Sequence, residues 1–343
     1  MYKKHFVSAN NQMDLYSLFI ELATKLVKPN SIISYIVPDS LIGRSNFVIT
    51  RQEIICKRTI LKWVHINEVF ESANVASLVF VAKDKPQNDY SFSYIKADSV
   101  QRWEAEDFEQ TIIKKSVVEK TDGYKVNFST ETETRLLFKI RNFEQLSTKM
   151  MMWRGEELGR KSSLISTKRE GNSIPLLAGD NVHRYEPITY TRFIKITDVE
   201  KRNYEKPKIV IRQLGTCINA TLDTNGYITL QSIYNLAITN DDVPTLKYVI
   251  GLLNSRLYDF LYGKLSGDKQ TFQRIILENI KQLPIPPAPL DQKQRIIALV
   301  NTILSKKKQS PQADTTAEEH EIDKLVYALY SLTEDEIKIV EEN

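Results

Sequence analysis

The chain has 343 residues, 42% hydrophobic and 26% charged, the make-up of a globular protein of about two domains and not of a disordered or fibrous chain. No apolar run reaches the roughly 18 residues of a spanning helix. The only cysteines, Cys56 and Cys217, lie far apart, which excludes a disulfide framework or a cysteine-built metal site and points to a reducing cytoplasm. The net charge of +4 hides an asymmetry, because residues 312–343 hold ten acids against Lys324 and Lys338. That end is −8, so residues 1–311 carry +12. A basic body suits a polyanionic partner, and it equally suits an ordinary solvated surface.

Residues 10–28 read as a helix, with Asn10 and Asn11 as caps, Leu15, Leu18, Phe19, Leu22, Ala23 and Leu26 at helical spacing, and Pro29-Asn30 as the stop. The apolar run 32–37 ends at Pro38-Asp39 and suits a strand covered on both faces, as in a parallel sheet. A helix around 46–60 follows. Residues 62–67 and 75–81 then read as strands joined by a turn at 71–74, which gives an α/β layer ending in an antiparallel pair. An open α/β sheet normally has more strands before these. The run 32–37 is therefore expected at an unpaired edge, with the sequence starting mid-domain or the layer being small and differently covered.

Residues 131–146 read as a helix with Leu136, Leu137, Ile140 and Phe143 on one face. From 150 to 239 the pattern is short strands and turns, clearest at 208–213, 223–226 and 227–231. A helix over 245–263 and an extended segment through Pro284, Pro286, Pro287 and Pro289 come next. Asp291 is expected to cap a helix reaching 305. A polar linker over 306–317 and a last helix over 321–330 complete the reading.

The chemistry is marked by absences. No GxGxxG or GxxxxGK[ST] loop is present, and His5, His65, His183 and His320 show no metal-binding spacing. No catalytic and no metal-binding residue is assigned. Pro38-Asp39 and Asp122-Gly123 read as a strand end and a turn. What remains is basic and aromatic. Arg154, Arg160, Lys161 and Lys168 form one stretch, and Arg192, Lys195 and Arg212 stand in a second beside Lys206 and Lys208. Lys264, Lys269 and Arg274 form a third next to Tyr258, Tyr262 and Phe272. Such loops can neutralise phosphates and read base edges, and a charge run can also be plain surface.

The ordered motifs carry a resemblance. Asp14-Leu15-Tyr16-Ser17-Leu18-Phe19-Ile20-Glu21, Leu26-Val27-Lys28-Pro29 and Ile33-Ser34-Tyr35-Ile36-Val37-Pro38-Asp39-Ser40-Leu41 resemble TaqI-like adenine DNA methyltransferases, and above all the large type IIG restriction-modification enzymes. Glu68-Val69-Phe70 and Ser77-Leu78-Val79-Phe80-Val81-Ala82-Lys83 continue it. Arg154-Gly155-Glu156-Glu157-Leu158-Gly159-Arg160-Lys161, Tyr227-Ile228-Thr229-Leu230, Leu252-Leu253-Asn254-Ser255-Arg256-Leu257 and Leu283-Pro284-Ile285-Pro286 resemble the TaqI-like C-terminal specificity domain. Ile322-Asp323-Lys324-Leu325-Val326-Tyr327 resembles the common end of type IIG chains.

The family's S-adenosylmethionine loop and Asn-Pro-Pro-Tyr motif are absent, so no residue inherits the catalytic roles. The resemblance gives Phe19 a place against the cofactor's adenine ring; the alternative is a core residue of an amphipathic helix. It also places Ala82 where the family offers an aromatic to the flipped base, with Phe80 in the core. Together these readings imply an incomplete Rossmann-like methyltransferase layer over residues 1–127. A mixed α+β target-recognition domain follows over 128–290, then C-terminal helices with an acidic tail over 291–343. The expected function is duplex DNA recognition without autonomous catalysis, with no S-adenosylmethionine bound to the chain alone. One alternative is an active methyltransferase completed by a separate N-terminal methyltransferase or endonuclease polypeptide. Another is a type I-like specificity subunit. Self-association through the open sheet edge is expected too, and a membrane partner is not.

Overall fold

The computed structural model describes residues 4–9, 14–67, 69–70, 76–158, 162–195, 203–266 and 274–342. They form two units, one within residues 1–134 and the other within 135–342. No helix among the described residues is long and apolar enough to cross a membrane.

The first unit runs α1 (Leu15–Leu26), β1 (Ile32–Pro38), α2 (Val48–Ile55), β2 (Thr59–Ile66), β3 (Ser77–Lys83), β4 (Ser91–Ala97), α3 (Val100–Glu104), β5 (Glu109–Lys114) and α4 (Lys115–Val118). Its sheet has the order β1-β3-β2-β4-β5. β3 is antiparallel to both β1 and β2, and β2 is parallel to β4. β1 therefore stands at the edge, as expected. It differs from the sequence reading in being one-sided and antiparallel: Ile33 and Val37 are buried, whereas Ile32 and Ile36 are 55% and 47% exposed. One face of the sheet carries Trp63, Phe80, Ala82, Phe92 and Tyr94 into the main core, and Val64, Ile66, Ile95 and Ala97 on the other pack against Trp103 and Phe108.

α1 corrects the reading of its stripe. Ser17, Leu18, Ile20 and Glu21 are buried, while Leu15, Phe19, Leu22 and Leu26 are exposed. The cause is Glu21. Its carboxylate accepts hydrogen bonds from the Val7 and Ser8 backbone N–H groups and the Ser8 hydroxyl, so the N-terminal segment covers that side of the helix. Phe19, 57% exposed, is not a core residue.

The second unit contains α5 (Glu131–Arg141, which enters it from the first), β6 (Glu144–Gln145), α6 (Leu146–Lys149), β7 (Met151–Arg154), β8 (Ile165–Ser166), β9 (Ser173–Leu177), β10 (Arg192–Lys195), β11 (Lys208–Arg212), β12 (Ala220–Asp223), β13 (Ile228–Thr229) and β14 (Ile233–Ala237). Then come α7 (Val243–Leu253), α8 (Arg256–Ser266), α9 (Leu277–Lys281), β15 (Pro284–Ile285), α10 (Leu290–Gln309), α11 (Thr316–Leu329) and α12 (Glu334–Glu342).

Strand pairing gives two four-stranded sheets, β12-β11-β14-β7 and β13-β9-β10-β8. Because side chains alternate along a strand, Ile209, Ile211, Tyr234 and Leu236 face the helices. Val210 and Ile233 turn the other way, onto Leu177 and Val182 of the second sheet region. The C-terminal helices share the helical core: Ile296, Val300, Ile303, Ile322 and Val326 pack with Leu246, Ile250 and Leu253. Residues 306–309 extend α10 instead of opening a linker. Asp291 lies in its first turn behind Pro289, and the acidic end is itself helical.

Candidate nucleic-acid interface

Register brings three of the expected basic residues to one sheet end. Arg212, the last residue of β11, pairs with Ile233, and Arg154, the last residue of β7, pairs with Tyr234 on the other side of β14. Past β11, Leu214 bridges to Arg274, while Gln213 accepts the Ile275 N–H and donates its own N–H to Ser232. The backbone positions of Arg154, Arg212 and Arg274 thus meet at one sheet end from segments more than 50 residues apart in sequence. Arg154 and Arg274 are exposed and Arg212 is half-buried. Arg154 Nε donates to the Gln231 carbonyl at 2.9 Å. Arg212 Nε is buried and has no hydrogen-bond partner among the described residues. Alternation sends Arg154 to the helix-facing side with Tyr234 and Arg212 to the opposite side with Ile233.

The segment after β7 is zipped onto residues 229–233. Gly155 donates to Ile233, Glu156 donates to Thr229 and Gln231 donates back to Glu156, while the Gln231 side-chain oxygen accepts the Leu158 N–H. A Cβ on residue 155 would sit 2.3 Å from the Leu230 carbonyl oxygen and 2.5 Å from that of Thr229. Only glycine permits this approach. Glu156 accepts the Tyr204 hydroxyl at 2.9 Å, and Tyr204 meets Trp153 edge-on. The Gly155-Glu156 segment thereby fixes the backbone that follows Arg154.

The remaining basic candidates are dispersed. Lys168 is exposed on a turn that Ser166 closes with its hydroxyl. Arg192 opens β10 and lies 3.4 Å from Asp180; exposed Lys195 ends the same strand. Lys264 lies in the last turn of α8 with its ammonium 5.5 Å from the Phe260 ring. Arg160, Lys161 and Lys269 lie outside the described residues. Lys208 leaves the basic stretch altogether: it is fully buried, ion-paired with equally buried Asp223 and donating to the Tyr204 carbonyl.

In the first unit the expected cofactor contact, Phe19, is on the open face of α1. Sequence reading missed one pairing there. Buried His65 on β2 comes within 3.7 Å of Asp39, at the end of β1. No spacing rule links a strand residue to one 26 positions earlier, in the turn after another strand. Phe80 and Ala82 are both core residues.

Comparison with known proteins follows the same division. Residues 1–70 match the family described as Eco57I restriction-modification methylase, and residues 174–285 match the TaqI-like C-terminal specificity domain. The chain is 25% identical to a protein described as a type II restriction enzyme and methyltransferase from Methanocaldococcus jannaschii, over 93% of this chain and 29% of that protein. The fold is similar to that of the type IIL restriction-modification enzyme MmeI in complex with DNA, with a TM-score of 0.64 and 11% identity over 95% of this chain and 51% of that one. It is similar also to the DrdV–DNA complex, with a TM-score of 0.52 and 11% identity over 90% and 41%. The chain spans about half the length or less of each of these proteins. The likeness to restriction-modification methyltransferases with a TaqI-like specificity domain, and the mixed α/β class, are borne out.

Proposed function

We propose that this chain is the DNA-reading portion of a restriction-modification adenine methyltransferase, binding duplex DNA without catalysing methyl transfer by itself. The observation that carries the reading is the convergence of Arg154, Arg212 and Arg274 at one sheet end of the unit that holds the specificity-domain match. Arginine serves such a surface well, since its fork of donors meets a phosphate or a guanine edge with two parallel hydrogen bonds. Arg154 and Arg274, being exposed, are assigned to phosphates. Arg212, half-buried at the same sheet end, is assigned to a base edge. Lys168, Arg192, Lys195 and Lys264 add to the field around the duplex.

S-adenosylmethionine is the methyl donor that this family implies. The described residues offer it one aromatic wall, Phe19, and no glycine-bounded backbone cradle, so they do not fit the group on their own. A second reading has its own support: an N-terminal α/β polypeptide completes the sheet beside β1 and restores catalysis. The open β1 edge and the exposed Leu15, Phe19, Leu22 and Leu26 favour it. The sheet of the first unit argues against a type I-like specificity subunit.

Fluorescence anisotropy with labelled duplexes at low salt tests the proposal. The chain is expected to bind, and Arg154→Ala and Arg274→Ala are each expected to weaken binding to every sequence alike. Absence of binding, or wild-type affinity in both variants, would overturn it.

A further inference from the structure

We infer that the loop between β11 and β12 is the element that reads bases, through Leu214 and Thr216, and that Asp259 positions it. The inference rests on the proposed function and assigns the work within that surface.

Arg212 N–H donates to the Asn219 carbonyl and closes a loop of residues 213–218 that contains no charged residue. It projects from the sheet end where Arg154, Arg212 and Arg274 converge. Leu214 is 46% exposed and Thr216 is exposed, whereas Ile218 is fully buried. An uncharged tip amid arginines adds nothing to phosphate attraction. What an apolar group and a hydroxyl can do in a groove is meet a thymine methyl and exchange hydrogen bonds with base edges, and those contacts discriminate sequence.

The tip can discriminate only if its backbone is fixed, and the helix junction 254–259 fixes it. Asn254, 1% exposed, clamps Ala220 with both ends of its amide, accepting the backbone N–H and donating to the carbonyl, each at 3.0 Å. Asp259 accepts the Ile218 N–H at 3.0 Å. Its other oxygen faces Arg184, which also donates to the Asn254 carbonyl and pairs with Glu319. Asp259 holds the loop at the backbone of buried Ile218, so it is a positioning residue.

The test uses the full chain and duplexes enriched by it from a random pool, with scrambled duplexes as reference. Leu214→Ala, Thr216→Val and Asp259→Ala are expected to lower the ratio of the two affinities about 5- to 100-fold. Asp259→Asn keeps an oxygen for the Ile218 N–H and is expected to restore most of the ratio. Arg274→Ala is expected to lower both affinities and leave the ratio intact. A wild-type ratio in the two loop-tip variants, which lie on the surface and do not threaten folding, would overturn the inference. So would a chain that binds duplex but enriches no sequence, and that outcome leaves general DNA binding standing. A chain that binds no duplex overturns the proposed function itself.

Discussion

Lys208 and Asp223 form an ion pair sealed from water, and Asp223 also accepts the Asn225 and Tyr227 N–H groups, so one carboxylate fixes both a strand and the turn after β12. Burial pushes the Lys208 ammonium below its ordinary pKa and Asp223 opposes that shift. Lys208→Met strands a buried charge and is expected to cost about 3–5 kcal/mol in urea denaturation. Adding Asp223→Leu is expected to recover only part, because the turn's N–H groups lose their acceptor. Two other carboxylates act in opposite directions on acid. For Glu21, burial alone would raise the pKa, but hydrogen bonds from Lys25, Ser8 and Val7 outweigh it and hold the group at about 2. Its stabilisation is present above the ordinary value of 4.5 and lost as pH falls toward 2. Asp259 is raised by burial to about 6 despite Arg184 and the Ile218 N–H. It favours folding below its ordinary value of 3.8, and that contribution is lost as pH rises through 6. Denaturation followed from pH 3 to 7 is expected to lose its acid-side decline with Glu21→Gln and its decline toward pH 6 with Asp259→Asn. Unchanged profiles would contradict both assignments.

Elements carry the next scale. α7 and α10 meet at Gly251, where a Cβ would lie 2.6 Å from the Ile296 Cγ2 methyl. Gly251→Ala is expected to cost about 1–3 kcal/mol by overpacking, and Ile296→Leu, which removes that methyl from Cβ, to relieve part of it in a double-mutant cycle. Strands β2 and β3 are legible in the sequence because their apolar residues recur between turn signals. β4 is equally legible as the alternation Ser91-Phe92-Ser93-Tyr94, in a stretch the reading passes over. The helix over 245–263 is really two, since Asn254 and Ser255 turn their side chains inward to the Ala220 backbone and the Leu252 carbonyl. The outward stripe of α1 is not legible from spacing, because its cause is Glu21 catching Val7 and Ser8 from outside the helix. The basic stretches are legible as a class. Which of their members meet is decided by strand register, and no local pattern reports it. Lys208 shows the limit: a lysine in a charge run reads as solvated until its partner 15 residues on is brought beside it.

At the scale of the whole chain, two units carry two different surfaces. The first presents an open strand edge with Ile32 and Ile36 on one side and the α1 stripe nearby, a combination that promotes pairing with another chain. Sedimentation velocity is expected to show concentration-dependent association of the chain alone, reduced by Ile36→Lys. A monomer at every concentration would contradict this. The second presents the arginine-bearing sheet end. The direct measurement is the affinity for duplex DNA across a series of salt concentrations. With about five phosphates neutralised, log K is expected to fall against log salt with a slope of roughly −4 to −5; a flat dependence, or no binding at low salt, would contradict the account.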